Sequence, residues 1–357
     1  MGYRYIGSKD KLAATLIAEI RRKCPNANSV IDLMAGTGLF SLALRKEGYR
    51  VIASDVMTYS YHHLVVNLKL NCAPKFEGLI DLINSNDNTY KAVLDYLNQL
   101  QPETGFFTKE YSPGGRPAAG CKPRMYFTTD NASKIDAIRK TIKEWHEHNM
   151  INDIEHSLLL HDLIMAANDI ANIAGTYGHY LSHFVKRSTD PILLTPSVFE
   201  ENDNTEGHEI RSGYAEELSP LLTGDVCYID PPYIKRQYAA NYHILETLAR
   251  EDKPEAIGES GLRPWRDQYS NFCSKVRIRN AFDLIIRNIN CRDIFISYSE
   301  DGLLPIDDLM NFLGQYGKVE LNEIRYKRFR SNNSKKGLEL TEYLIHLNKC
   351  QVICGGI

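Results

Sequence analysis

The 357-residue chain has no Cys-x-x-Cys pair. Its eight cysteines, Cys24, Cys72, Cys121, Cys227, Cys273, Cys291, Cys350 and Cys354, are scattered. That excludes the usual zinc-finger spacings and reads as reduced thiols rather than a disulfide framework. Cys350 and Cys354 come nearest to a pair, but no second half exists. His179 and His183 stand four apart on an expected helix and read as a structural pair. No metal is expected. No stretch approaches the length of a membrane span. The start, Met1 to Tyr5, lacks the apolar core of a signal peptide. Gly7 stands where a myristoylation signal needs Ser or Thr. The expectation is therefore a cytoplasmic protein with no membrane partner. No charge of one sign dominates: the net charge is −3, so total charge demands no nucleic acid. No internal repeat or low-complexity segment occurs. With 43% hydrophobic and 24% charged residues, the composition is that of a soluble globular protein. The length allows one large α/β domain with an insertion, or two domains.

What is present begins with a βαβ pattern. Residues 29 to 33 read as a buried strand, Ala35-Gly36-Thr37-Gly38 as a glycine turn, and Leu39 to Lys46 as an amphipathic helix. Arg50 to Ser54 reads as a second strand, closed by Asp55. An acid about 17 residues after the last glycine is near the roughly 20 of a ribose-binding acid. Gly36 and Gly38 let the backbone approach a ligand closely. The pattern fits a nucleoside cofactor, either a dinucleotide or S-adenosylmethionine. Ser41 occupies the place of the third glycine of Gly-x-Gly-x-x-Gly, which favours a cofactor without a pyrophosphate.

From about 75 to 205 the strand rhythm disappears. Ala132 to His148 reads as an amphipathic helix with Ile135, Ile138, Ile142 and Trp145 on one face. Glu155 to Ala174 reads as a longer helix. Strands return at His208 to Ser212, Val226 to Ile229 and Asp293 to Tyr298. The chain ends in an expected antiparallel hairpin, Lys318 to Phe329 with Glu342 to Asn348. The domain expectation is thus a discontinuous α/β domain, 1–74 with 206–357, and a mostly helical insertion, 75–205.

The apolar run Val226-Cys227-Tyr228-Ile229 leads into Asp230-Pro231-Pro232-Tyr233, a rigid turn at a strand end. It offers a carboxylate, a carbonyl beside a proline ring, and an aromatic. Those groups suit a flat base bearing an exocyclic amine: two acceptors for its hydrogens and a ring to stack on it. Three basic patches rich in Tyr or Phe suggest a phosphate-facing side. The first holds Lys109, Arg116, Lys122 and Arg124. The second is Lys235-Arg236. The third holds Arg325, Lys327, Arg328 and Arg330.

Nearly end to end, the chain resembles the D12 class of DNA adenine-N6 methyltransferases. Tyr5-Ile6-Gly7-Ser8-Lys9 resembles the family's N-terminal cofactor motif, and Asp32-Leu33-Met34-Ala35-Gly36-Thr37-Gly38 its glycine loop, with Asp55 as ribose acid. Tyr126-Phe127-Thr128 through Ile135-Asp136-Ala137-Ile138-Arg139, and Gly175-Thr176-Tyr177-Gly178, resemble parts of its inserted domain. Asp230 to Tyr233, with Arg236-Gln237-Tyr238 and Asn241-Tyr242-His243, resembles its catalytic motif and following loop. Ser297-Tyr298-Ser299 and Tyr326-Lys327-Arg328-Phe329 resemble its late strands. Two departures occur. Gly213-Tyr214-Ala215 stands where many relatives have an acid for the cofactor's adenine; Tyr214 would stack on that ring, with Glu216 a substitute. Ile234 stands where a small polar residue is usual.

The resemblance implies a Rossmann-like methyltransferase sheet carrying a helical DNA-recognition insertion. It implies methyl transfer from S-adenosylmethionine, leaving S-adenosylhomocysteine, to N6 of a flipped adenine in double-stranded DNA. Asp230, Pro231, Pro232 and Tyr233 would be catalytic. Tyr5, Lys9, Asp32, Ala35, Gly36, Gly38, Asp55, Tyr214 and Asp230 would bind the cofactor, with Lys9 pairing with its methionine carboxylate. Arg116, Lys122, Arg124, Lys235, Arg236, Tyr238, Lys327, Arg328 and Arg330 would contact DNA, and Tyr238 or Tyr242 would fill the gap left by the flipped base. A restriction–modification role is implied, with an endonuclease partner in function rather than in contact, for a monomer. Two alternatives are N4-cytosine methylation, which usually shows Ser in place of Asp230, and an inactive methylase fold that only binds DNA.

Overall fold

The structure, a computed structural model, describes the chain apart from residues 1–8, 10–11, 84–88, 118–119, 200–203, 328–338 and 351–357, and apart from the side chains of 325–327 and 339–340. Seven strands form one sheet: β1 Ser29–Asp32, β2 Arg50–Asp55, β3 Glu209–Ser212, β4 Val226–Ile229, β5 Asp293–Ser299, β6 Gly317–Lys327 and β7 Glu339–Lys349. Their order is β3-β2-β1-β4-β5-β7-β6. Strands β1 to β5 pair in parallel, and β7 runs antiparallel to both β5 and β6. This is the α/β, Rossmann-like class expected from the sequence.

The central strands are mostly apolar because both faces are covered, with polar residues such as Ser29 and Asp32 at the ends of β1 buried as well. β1 and β4 have no exposed position. The helix Ile278–Asn288 buries Ile278, Ala281, Phe282, Ile285 and Ile286, the stripe of a 3.6-residue repeat. That stripe packs with Ile31, Leu33, Cys227, Ile229, Ile294 and Ile296 from alternate strand positions. Asp225, just before β4, accepts hydrogen bonds from the backbone N–H groups of Asn28 and Ser29 at 2.9 Å each. Those bonds align the entry of β4 with that of β1.

The chain divides into two compact units. One holds the sheet and comprises 8–56, 206–237 and 269–357; the other, mostly helical, comprises 1–7, 57–205 and 238–268. Relative to the sequence expectation, the helical unit also takes in the helix Thr58–Lys69 and the segment 238–268. The reason lies in buried polar contacts within it. Glu246, fully buried, accepts from the backbone N–H groups of Thr58 and Tyr59 at the start of the helix Thr58–Lys69. Arg139 donates to the carbonyls of Thr247 and Asp252, each at 2.9 Å. Tyr126 donates to those of Tyr177 and Ser260. A run of polar-looking sequence after 237 is therefore bound into the helical core.

The helices expected at 132–148 and 155–174 form over Thr129–Glu147 and Asp153–Ile170. The second begins with Asn152 accepting from the Ile154 and Glu155 N–H groups while the Glu155 carboxylate accepts from the Asn152 N–H, a reciprocal cap. No helix forms at His179 and His183. His179 Nδ1 lies 2.9 Å from Ser260 Oγ, a contact that spacing along the chain could not reveal.

The helical unit also buries a group of histidines. His63 Nδ1 and His161 Nδ1 lie 2.8 Å apart, a contact that holds one proton and becomes repulsive with two. His62 Nδ1 lies 3.1 Å from Ser157 Oγ. Burial pushes His62 down to about 3 and His161 to about 4, and holds His63 well below the ordinary 6.5. These imidazoles are neutral in the fold and take up protons when it opens, so they oppose folding once the pH falls below 6.5. Burial pushes His243 of the same unit down to about 3 as well, and Asp162, buried and pushed up to about 7, acts with the opposite sign but is one group against four. The urea midpoint of the helical unit is therefore expected to fall between pH 6.5 and pH 4.5. His161→Gln should make that pH dependence shallower; an unchanged slope would remove the pair as its source.

Candidate active site

In a sheet of this kind, ligands bind beyond the carboxyl ends of the strands where the strand order reverses. Here the reversal lies between β1 and β4, which pair with Asp32 opposite Tyr228. The residues that follow are the glycine loop on one side and Asp230 to Tyr233 on the other.

The glycine loop is pinned to β2. Ala35 N–H donates to the Ser54 carbonyl at 2.9 Å, and Gly36 N–H to Asp55 Oδ2 at 2.8 Å. Gly36 and Gly38 have φ of 55° and 73°, the left-handed region in which a side chain is strained. Gly38 then opens the helix Leu39–Lys46. Ser41 donates to Asp32 Oδ2 at 2.6 Å, which explains a hydroxyl where a dinucleotide fold would place glycine. Asp32 is almost fully buried, and burial pushes its carboxyl up to about 7 against the Ser41 bond, with Asp230 and Asp55 adding to the rise.

Just after β3, whose last residue Ser212 pairs with Asp55, lies a pocket of about 260 Å³ lined by Tyr214, Glu216, Glu217, Tyr269 and Asn271. Asn271 Nδ2 donates to Glu216 Oε1 at 3.1 Å. An acid beside an aromatic-walled slot suits ribose and adenine. The sequence had offered Tyr214 and Glu216 for this place. It gave no sign of Tyr269 and Asn271, which arrive from another part of the chain.

Asp230 is partly buried at the end of β4. Lys9 Nζ lies 3.2 Å from Asp230 Oδ1 and also donates to Glu342 Oε1. Tyr233 holds its ring 5.6 Å from the same ammonium and meets Tyr298 edge-on, 5.9 Å between centroids. The turn is closed by Leu303 N–H donating to the Tyr233 carbonyl at 2.9 Å. Lys9 is 7% exposed and held between two carboxylates of its own chain. Tyr5 lies outside the described residues.

The basic residues divide. Arg116, Lys122, Lys235 and Arg236 are exposed. Arg124 is not available to a phosphate: it is fully buried, paired with Glu110 at 2.7 Å and donating to the carbonyls of Glu110, Gly258 and Glu259. Tyr238 is half-buried and tilted against Tyr242, 5.7 Å between centroids; Tyr242 is fully buried, a core side chain of the helical unit. Lys327 lies in β6 with its side chain undescribed, and Arg328 and Arg330 lie outside the described residues. One group among the described residues has metal-ligand proximity, Cys24, Asp293 and His346. Asp293 Oδ1 already accepts from His346 Nε2 at 2.8 Å and from Asn348 at 2.7 Å.

This sheet order sets a glycine loop with Asp55 on one side of the β1–β4 reversal and an Asp-Pro-Pro-Tyr turn on the other, an arrangement suited to a nucleoside-bearing cofactor. Residues 5–312 match the family described as D12 class N6 adenine-specific DNA methyltransferase, and the chain belongs to that family. It is 36% identical to the type II methyltransferase M.FokI of Planomicrobium okeanokoites, over 97% of this chain and 52% of that protein. It is 32% identical to the modification methylase StsI of Streptococcus sanguinis, over 97% and 52%. It is 33% identical to the type II methyltransferase M.NlaIII of Neisseria lactamica, over 97% and 99%. The chain thus spans about half the length of the first two relatives and nearly all of the third.

Gly302 packs against Tyr298, the ring that meets Tyr233 edge-on. A Cβ there would lie 2.3 Å from Tyr298 Cε1, and Tyr298 is fully buried with its hydroxyl accepting from Leu304 N–H. Gly302→Ala should therefore cost about 1–3 kcal/mol by overpacking, read by urea denaturation; a change under about 0.3 kcal/mol would show that the ring yields freely.

Proposed function

We propose that this protein transfers a methyl group from S-adenosylmethionine to N6 of an adenine flipped out of duplex DNA, at a specific sequence. The observation that carries the reading is the placement of Asp230 and Tyr233 across the β1–β4 reversal from the Gly36–Asp55 loop. A methyl donor lying between Asp55 and the Tyr214 pocket would present its transferable methyl toward Asp230. The Asp230 carboxylate and Pro231 carbonyl would accept the two N6 hydrogens, localising a lone pair otherwise delocalised into the ring. That is catalysis by position and electrostatics, with no covalent bond to the enzyme. Tyr233 would stack on the base and offset part of the few kcal/mol lost on unstacking.

Asp, where N4-cytosine enzymes usually show Ser, favours adenine. Intact Asp230, Tyr233, Gly36 and Asp55 favour an active enzyme over an inactive DNA-binding fold. Exposed Arg116, Lys122, Lys235 and Arg236 would hold phosphates, with the helical unit contributing to sequence choice. The names of the relatives support a restriction–modification role, with protection of DNA from an endonuclease that acts separately. We take the working form as a cytoplasmic monomer that requires no metal.

Tritiated methyl transfer to duplex DNA followed by nucleoside analysis tests the reading. Label in N6-methyladenine is expected; label in 4-methylcytosine, or none with folded protein, would overturn it. Asp230→Ala should lower kcat at least about 100-fold while the cofactor Kd changes little, and full activity would remove Asp230 from the mechanism. Lys235→Ala and Arg236→Ala should each reduce the slope of log affinity against log salt by about 0.9. An unchanged slope in both would place the phosphates elsewhere.

A further inference from the structure

The Asp230 carboxylate does not stand alone in the site. The Lys9 ammonium beside it is shared with Glu342, a side chain with no accessible surface on the antiparallel strand β7. Glu342 Oε2 is buried and finds no hydrogen-bonding partner among the described residues. A buried carboxylate oxygen left without a donor is costly for the ionised form. Two carboxylates on one ammonium also leave the trio with a net charge of −1 when both are ionised. The other titratable groups facing it are Tyr228 and Tyr233, which interact with Lys9, and Asp32, which interacts with Asp230. Neither tyrosine supplies a second cation, so the cluster favours one additional proton. Glu342 lies beyond the residues matched to the family, 5–312, and nothing in the sequence marked it.

We propose that Glu342 is a positioning residue for methyl transfer, holding Lys9 against Asp230 and storing the proton that the reaction releases. This rests on the adenine-methylation reading above. As the N6–methyl bond forms, the sulfur–methyl bond breaks and its electron pair stays on sulfur. N6 then carries a positive charge and gives one proton to the Asp230 carboxylate. Asp230 passes that proton to Lys9 as Lys9 passes one of its own to Glu342. Lys9 ends as an ammonium, Asp230 is again an acceptor, and one proton has moved from N6 to Glu342. It leaves by the same path once the product is gone.

Burial pushes Glu342 up to about 7, with Lys9 pulling it down and Asp230 adding to the rise. Burial raises Asp230 as well, opposed by Lys9. Above pH 7 Glu342 is therefore ionised and can accept, and below it the store is already filled.

The test is single-turnover methyl transfer to duplex DNA by the full chain, at saturating cofactor, between pH 6 and pH 8. The wild-type rate constant should fall as the pH drops through about 7. Glu342→Gln imitates the filled store: its rate at pH 8 should be at least about tenfold lower and nearly flat with pH, with DNA and cofactor affinities within about twofold of wild type. A wild-type rate flat over this range overturns the proposal even if Glu342→Gln does not fold. So does a Glu342→Gln enzyme that keeps the wild-type rate and profile. A folded wild type that moves no methyl group to DNA overturns the reading beneath it, and this inference with it.

Discussion

The parallel pairing of β1 with β4 is the constraint on which the site depends. The two strands are far apart in the chain, yet Val30, Ile31 and Asp32 pair with Val226, Cys227 and Tyr228. That register sets the glycine loop and the Asp-Pro-Pro-Tyr turn side by side at one end of the sheet. It is maintained by apolar contact on both faces and by Asp225 binding the N–H groups of Asn28 and Ser29. A shift of one residue would turn every buried side chain to the wrong face and separate the carboxylate from the loop.

Charge at this end of the sheet is arranged as a compromise. Asp32, Asp55 and Asp230 stand close enough that the first is raised by the other two. Each has a local partner: Ser41 for Asp32, the Gly36 N–H for Asp55, and Lys9 for Asp230. Lys9 is in turn shared with Glu342 on a strand that runs against the rest of the parallel sheet. The reversed strand thus brings to the site a group that a purely parallel arrangement of the same segments would have carried elsewhere.

The helical unit shows a different economy. Several residues that gave the insertion its family likeness are structural. Asp136 accepts from the N–H groups of Gly105, Phe107 and Thr108, capping the short helix Phe106–Tyr111. Arg139 and the Tyr177 carbonyl fasten the segment 238–268. Arg124 satisfies a ring of carbonyls rather than a phosphate. A guanidinium has five N–H donors, and a loop rich in glycine turns its carbonyls inward to meet them. Recognising a motif therefore did not reveal whether its residues touch a ligand or each other.

The sequence by itself determined the α/β class, every strand of the sheet to within a few residues, and the two loops that face each other. Those features are local: an apolar run, a glycine turn or a proline pair follows from its own residues and near neighbours. Tertiary structure decided the division into units, the burial of Arg124 and Tyr242, the unhelical course around His179, the arrival of Tyr269 and Asn271 beside Tyr214, and the placing of Glu342 against Lys9. Each depends on which distant groups meet. A buried charge or hydrogen-bonding group is placed by the partner that satisfies it, and that partner's distance along the chain carries no signal of the meeting.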